Sequence, residues 1–69
     1  MSQEEMEIRF TYHTPKEGQP AIYTKIRDKA KELAVLLNEV CPESREKALA
    51  FTELEDAVMW ANAAIARRG

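Results

Sequence analysis

One apolar stretch dominates the sequence and reads Ala48-Leu-Ala-Phe-Thr-Glu-Leu-Glu-Asp-Ala-Val-Met-Trp-Ala-Asn-Ala-Ala-Ile-Ala-Arg-Arg68. Apolar residues recur in it every three or four positions, which predicts a helix with one core-facing stripe: Phe51, Leu54, Val58, Ala61 and Ile65. A helix that is apolar on most sides must be surrounded, and a chain of 69 residues is too short to surround it. Other copies of the chain are the simplest source of protein surface to bury the apolar sides of this helix. We therefore expect a homo-oligomer, with Met59, Trp60 and Ala63 at its interface.

The chain has few other means of stabilising a small fold. A single core in a domain below about 70–80 residues supplies only about 3–5 kcal/mol, so disulfides, a metal or oligomerisation usually add to it. Cys41 is the only cysteine and His13 the only histidine. No internal disulfide can form, and a zinc ligand set is missing. We expect no metal and no cofactor.

The first nineteen residues predict an arm and a connector. A polar start is followed by Ile8-Arg-Phe-Thr-Tyr12, whose alternation of apolar and polar residues predicts a short extended segment. Thr14-Pro15, Gly18 and Gln19-Pro20 then mark a turn-rich connector that ends at the start of helix one. Residues 1–19 are therefore expected to form a short extended arm and a connector.

Two helices follow the connector. Apolar residues at helical spacing predict helix one over residues 20–40: Ile22, Ile26, Ala30, Leu33, Leu37 and Val40. Pro42 should end this helix and open helix two, over residues 42–67. Two long helices with so short a connection pack antiparallel. We predict a single all-α domain, an extended arm followed by an antiparallel helical hairpin, assembled into a compact homo-oligomer.

Charge and residue types argue against several functions. Ten basic residues stand against twelve acidic ones, whereas DNA- and RNA-binding proteins normally show a basic excess. No apolar run is long enough to cross a bilayer, and the acidic start is unlike a signal peptide, so we expect a cytoplasmic protein without a membrane partner. Cys41 precedes a proline and is more typical of a small buried residue than of a catalytic thiol. We do not expect an enzyme.

Helix one carries the better organised candidates for ligand binding. Tyr23, Arg27 and Lys31 are spaced four apart and share one line along the helix. A ring beside two cations suits a planar anion, and Tyr12 and His13 could add a second ring from the arm. The residue types alone favour a different interpretation, a solvated helix face whose cations pair with interleaved acidic residues.

The end of helix two leaves further alternatives open. Arg67 and Arg68 complement the helix dipole, but if several chains brought them together, the resulting cationic ring would need an anion. Trp60 could stack on a ligand, although its type favours a subunit contact. Asn62 lies on a mostly apolar helix and is expected to make a hydrogen bond across a helix pair.

Several segments together carry a family resemblance: Tyr12-His-Thr-Pro15, Gln19-Pro20, Tyr23-Thr-Lys-Ile-Arg27, Cys41-Pro-Glu-Ser-Arg-Glu46 and Leu54-Glu-Asp-Ala-Val-Met-Trp-Ala-Asn-Ala-Ala-Ile-Ala-Arg67. They resemble the phage anti-CBASS sponge family, small proteins that sequester the cyclic oligonucleotide messengers of bacterial antiphage immunity. The resemblance covers residues 12–67. It implies a six-chain assembly of helical hairpins, in the cytoplasm of the infected bacterial host, that binds its ligand without cleaving it.

The resemblance also implies roles for particular residues. Cyclic dinucleotides would lie in pockets between paired subunits, where Tyr12 stacks on a base, His13 lines the pocket, and Arg27 and Lys31 hold the two phosphates. Cyclic trinucleotides would bind where three subunits meet, with Arg67 or Arg68 at their phosphates. The alternatives are a structural or regulatory helical oligomer that binds a protein partner, a small DNA-binding module, and an enzyme that hydrolyses the messenger.

Overall fold

The structure, a computed structural model, describes all 69 residues and contains three helices and no strand. These are α1 (Gln3–Phe10), α2 (Gln19–Val40) and α3 (Arg45–Arg68). The all-α prediction is confirmed. α2 and α3 pack against each other as a hairpin, and α1 precedes it in place of the arm.

α1 shows that the expected extended arm is wrong for Ile8–Phe10, which are helical. The Ser2 side-chain oxygen accepts a hydrogen bond from the Glu5 backbone N–H at 3.0 Å and caps the helix. Arg9 pairs with Glu5 one turn away, at 2.9 Å. These local interactions prevail over an alternation that spans only five residues. Extended backbone begins at Thr11, with φ −113° and ψ 139°.

The hairpin turn differs from the expectation that Pro42 opens helix two. α3 begins three residues later, at Arg45, because Ser44 is its cap: the Ser44 hydroxyl oxygen accepts a hydrogen bond from the Lys47 backbone N–H at 3.1 Å. Cys41 is extended, as expected before a proline. Pro42 therefore belongs to the turn.

A buried lysine fastens this closed end of the hairpin. The side chain of Lys47 is only 6% exposed. Its ammonium donates to the carbonyl of Asn38, near the end of α2, at 3.2 Å, and to the carboxylate of Glu43 at 2.5 Å. Carbonyls in the last turn of a helix lack intrahelical partners and attract cations. Lys47 thus joins the end of α2 to the start of α3.

A buried glutamine holds together the other end of the hairpin, where the connector meets the last turn of α3. The Gln19 side chain accepts from the Lys16 backbone N–H at 2.8 Å and donates to the carbonyl of Ile65 at 3.2 Å. The Lys16 ammonium also donates to the carbonyl of Gly69. Gly18, just before α2, has φ +84°, a left-handed conformation that favours glycine. The connector is therefore tied to the last turn of α3.

The chain alone has no fully buried hydrophobic side chain. It measures 46 × 29 × 12 Å, and its one extensively packed pair of helices, α2 and α3, forms a single layer. Its radius of gyration is 15.4 Å, whereas a compact chain of this length would have about 11 Å. Large apolar side chains are exposed along the hairpin: Ile22, Leu33, Val35, Leu36, Val40, Leu49, Met59 and Trp60. None of the helices has both the length and the hydropathy that crossing a membrane requires.

Candidate functional site

The largest depression, the hairpin groove, lies between α2 and α3 and has a volume of about 610 Å³. Its lining consists of Arg27, Ala30, Lys31, Ala34, Phe51, Leu54, Glu55, Val58, Met59 and Asn62. The groove is mostly apolar, with two cations from α2 and one carboxylate from α3. Small-molecule sites commonly combine such a volume with apolar walls and a few charged groups.

The two cations of the hairpin groove are available to a ligand. Arg27 and Lys31 are exposed, and their four-residue spacing separates them by about 6 Å along the helix axis. Neither forms an ion pair; on α2 the ion pair is Lys29–Glu32, at 3.5 Å. The interleaved acidic residues therefore do not neutralise this pair of cations within the chain.

A second depression, the aromatic groove, has a volume of about 460 Å³. α1, the connector, α2 and α3 all contribute to its lining: Arg9, Thr11, Tyr12, His13, Tyr23, Asn62, Ala63, Ala66 and Arg67. It combines two tyrosine rings with two guanidinium groups, and no acidic side chain lines it. Stacking on the rings together with charge pairing suits a ligand that carries both a base and a phosphate.

His13 fixes the position of the connector beside this groove. Its Nε2 lies 2.7 Å from the carbonyl oxygen of Ile8, in the last turn of α1. A carbonyl only accepts, so Nε2 is the protonated nitrogen. The ring of the preceding Tyr12 is 82% exposed. His13 is therefore anchored, whereas Tyr12 is free to stack on a ligand.

The two C-terminal arginines have different surroundings. Arg67 is half-buried, lines the aromatic groove and forms no ion pair. Arg68 points to α1 and donates to a carboxylate oxygen of Glu5 at 2.7 Å, and the same oxygen accepts from Arg9. The guanidinium of Arg68, and then that of Arg9, lower the pKa of Glu5 below its ordinary value of 4.5.

Asn62 lies where the two grooves adjoin, because it lines both. Its Oδ1 is buried and has no hydrogen-bond partner. The hydrogen bond expected across the helix pair therefore does not form within one chain. Buried polar atoms normally have partners, so this amide leaves one acceptor unsatisfied at the centre of the site.

Comparison with known families identifies the hairpin. The Acb2/Tad1 hairpin-domain model matches residues 2–66, nearly the whole chain. The chain belongs to the Acb2/Tad1 hairpin-domain family. This is the anti-CBASS sponge family, so the resemblance seen in the sequence is confirmed. The family consists of sequestering sponges rather than enzymes. Neither curated proteins nor solved structures gave a match.

The residues that the family resemblance singled out are divided between the two grooves. Tyr12 and His13 line the aromatic groove, while Arg27 and Lys31 line the hairpin groove. On α2, Tyr23 of the aromatic groove lies one helical turn before Arg27 of the hairpin groove. The grooves thus form one continuous surface within a single chain.

The remaining predicted residues fall on different parts of this surface. Arg67 lies with Tyr12 in the aromatic groove, to which Ala63 also contributes, and Met59 lines the hairpin groove. Trp60 lines neither groove and is 61% exposed.

The sequence pattern missed Arg9 as a groove residue. It falls within a segment that was expected to be extended, and no periodicity relates it to the residues it meets.

Proposed function

We propose that this protein is a sponge that binds and sequesters cyclic dinucleotides, and cyclic trinucleotides at a second site, without cleaving them. In the cytoplasm of an infected bacterial host, sequestration would keep the messenger from its effector and so block CBASS immunity. The observation that carries the proposal is the family match over residues 2–66. The chemistry of the two grooves supports it independently.

The charge and ring chemistry of the grooves fits a cyclic dinucleotide. Arg27 and Lys31 are exposed, unpaired and one turn apart, an arrangement that can hold two phosphates by charge-assisted hydrogen bonds. Tyr12 offers an exposed ring for base stacking, and such stacking is worth about 1–3 kcal/mol per base. His13, the next residue, anchors the connector through its hydrogen bond to the Ile8 carbonyl.

A pocket shared by two subunits fits both the ligand and the chain. A cyclic dinucleotide has an approximate two-fold axis, so two copies of Tyr12 and Arg27 would match its two halves. The absence of a fully buried apolar side chain favours an assembled state. We propose the six-chain assembly that the family implies, with Met59, Trp60 and Ala63 at its interfaces.

Arg67 is the better candidate for the trinucleotide site. It lies unpaired in the aromatic groove, whereas Arg68 is neutralised by Glu5. Where three subunits meet, three unpaired arginines would present a cationic surface that a cyclic triphosphodiester could neutralise.

Sequestration works by mass action. A sponge lowers the free messenger only if it is abundant and binds more tightly than the effector, and several sites on one assembly help to meet both conditions.

Calorimetric titration with a 3′,3′-cyclic dinucleotide tests the proposal. We expect tight binding at about one ligand per two chains, and Arg27→Ala should weaken it about 10- to 100-fold, the value of a hydrogen bond to a charged group. Lys25→Ala is the matched control, since Lys25 is exposed, unpaired and outside both grooves. Sedimentation should show the same oligomeric state for all three proteins.

Two results would contradict the proposal. If neither a cyclic dinucleotide nor a cyclic trinucleotide binds, the protein is not a sponge for these messengers. If heating the complex releases a hydrolysed ligand, the protein is an enzyme.

A second candidate function has one observation in its favour. Leu33, Val35 and Leu36 expose apolar surface on α2, and such a face could bind a protein partner. In that case Arg27→Ala should leave partner binding intact.

A further inference from the structure

One carboxylate bridges two arginines from opposite ends of the chain. The same Glu5 oxygen accepts from Arg9 Nε at 2.9 Å and from Arg68 at 2.7 Å. The Glu5 side chain is 27% exposed, and both arginines are about half exposed. Glu5 thus occupies a guanidinium donor of Arg9 that another oxyanion could use in its place, while its bond to Arg68 is separate.

Arg9 also belongs to the aromatic groove. It lines that groove beside Tyr12 and Arg67, and no carboxylate belongs to the lining. Guanidinium groups bind carboxylates and phosphates through the same charge-assisted hydrogen bonds. A phosphate in the aromatic groove and the carboxylate of Glu5 would therefore compete for the same donor.

We propose that Arg9 is a further phosphate-binding residue of the aromatic groove, and that Glu5 is an internal anion that the phosphate of the ligand replaces on Arg9. The inference rests on the proposed function, since it requires a phosphodiester ligand in this groove. In the free protein Glu5 holds Arg9 in place beside the groove. When the ligand binds, Arg9 turns to the phosphate, while Glu5 keeps its bond to Arg68 and α1 remains attached.

The exchange requires only a weak bond to break. Ion pairs between exposed side chains are weak because water screens the charges, and all three side chains are partly exposed. A phosphodiester held at the same time by stacking on Tyr12 can therefore displace the carboxylate. Glu5 lowers the affinity for the ligand modestly and keeps Arg9 from other anions.

Three variants titrated with 3′,3′-cyclic di-AMP test the inference. Glu5→Gln removes the competing charge and should bind about two- to fivefold more tightly than the control. This ratio of affinities is what the loss of one exposed ion pair would produce. Arg9→Gln should bind about tenfold more weakly than wild type. Glu4→Gln is the control, because Glu4 lies in the same helical turn, is exposed and forms no ion pair.

Equal affinities of Glu5→Gln and Glu4→Gln would overturn the inference. So would weaker binding by Glu5→Gln, because Glu5 would then be positioning the groove rather than competing for it. Unchanged binding by Arg9→Gln would remove Arg9 from the site.

A titration of the Glu5 carboxyl by nuclear magnetic resonance tests the exchange directly. Ligand saturation should raise the pKa of Glu5 toward its ordinary value, since Arg9 no longer stabilises the carboxylate. A pKa that stays unchanged at saturation would overturn the inference. If Arg27→Ala weakens binding and Arg9→Gln does not, this inference is wrong but the proposed function stands. If the wild-type protein binds no cyclic dinucleotide, both the inference and the proposed function are wrong.

Discussion

Lys47 joins the two long helices at their closed end. Its ammonium is buried and has two partners, the Asn38 carbonyl and the Glu43 carboxylate. Lys47→Met keeps much of the side-chain volume but leaves that carbonyl without its donor. We expect the free energy of unfolding to fall by about 1–3 kcal/mol.

Urea unfolding followed by circular dichroism, at one protein concentration, measures this loss. Lys29→Met is the matched control. Lys29 pairs with Glu32 in full solvent, so its loss should change stability by less than about 0.5 kcal/mol. Equal effects of the two variants would mean that Lys47 does not cap α2.

Gly18 sets the angle at which the chain enters α2. Its φ of +84° disfavours any residue with a Cβ, although the space around it is open. Gly18→Ala should therefore destabilise the protein through backbone strain alone, by about 1–2 kcal/mol. The same unfolding experiment checks this, with Glu17→Ala as the control. A neutral Gly18→Ala would indicate that this residue is not left-handed.

At the level of single elements, the sequence predicted the two long helices better than the short one. Apolar periodicity indicates α2 and α3 because each spans many turns. α1 has only eight residues and no buried side chain, so its sequence carries little periodicity. Its position depends on Arg68, which lies 63 residues away from Glu5. No local pattern can reveal such a contact.

The start of α3 shows a similar limit to what the sequence can predict. Pro42 and Ser44 are both typical of helix starts, and the expectation relied on the proline. The hydroxyl of Ser44 reaches the Lys47 backbone N–H and decides between them.

The attachment of α1 to α3 should depend on pH. The two arginines lower the pKa of Glu5 below 4.5. For a group with a depressed pKa, the stabilisation is fully present above the ordinary value and is lost as the pH falls through the lowered one. We therefore expect the bond between Glu5 and Arg68 to weaken as the pH falls below 4.5, while α1 stays held by the hydrogen bond of His13 to Ile8 and α2 and α3 remain helical.

Nuclear magnetic resonance can follow this transition through the carboxyl shifts and the contacts between α1 and α3. The pKa of Glu5 should lie below its ordinary value of 4.5, and the contacts between Glu5 and Arg68 should weaken together with the Glu5 charge. In Glu5→Gln the contacts should show no such pH dependence. If the pKa of Glu5 is not below 4.5, the ion pair with Arg68 does not form in solution.

At the scale of the whole molecule, folding should be linked to assembly. No hydrophobic side chain is fully buried in one chain, and Met59 and Trp60 are 52% and 61% exposed. Mass action then predicts that Tm rises with protein concentration. Trp60→Glu places a charge at the proposed interface and should abolish this dependence, with a lower Tm and a smaller sedimenting species.

Thermal unfolding at several concentrations, together with sedimentation, provides the measurement. Each kcal/mol lost should lower Tm by about 4–8 °C for a chain of this size. Lys25→Glu is the control and should assemble as wild type does. A Tm independent of concentration in the wild type would show that the chain folds as a monomer.

From the sequence alone, the candidate site was predictable only for the residues that lie together on one helix. The line of Tyr23, Arg27 and Lys31 follows directly from a spacing of four. The meeting of Arg9, Tyr12 and Arg67 in one groove requires α1, the connector and α3 to converge, and sequence spacing carries no information on such convergence. The family resemblance supplied Tyr12 and His13 as candidates, but it did not indicate that they share a groove with Arg67.

The single layer of helices has a consequence for how this protein tolerates mutation. In most domains, the positions most sensitive to substitution trace the interior of the chain. A slab 12 Å thick has no interior of its own, so a deep mutational scan of this protein should instead trace the surfaces that other molecules cover. Sensitive positions on α2 and α3 that lie outside the contact between these two helices would then identify the surfaces covered by neighbouring subunits and by the ligand.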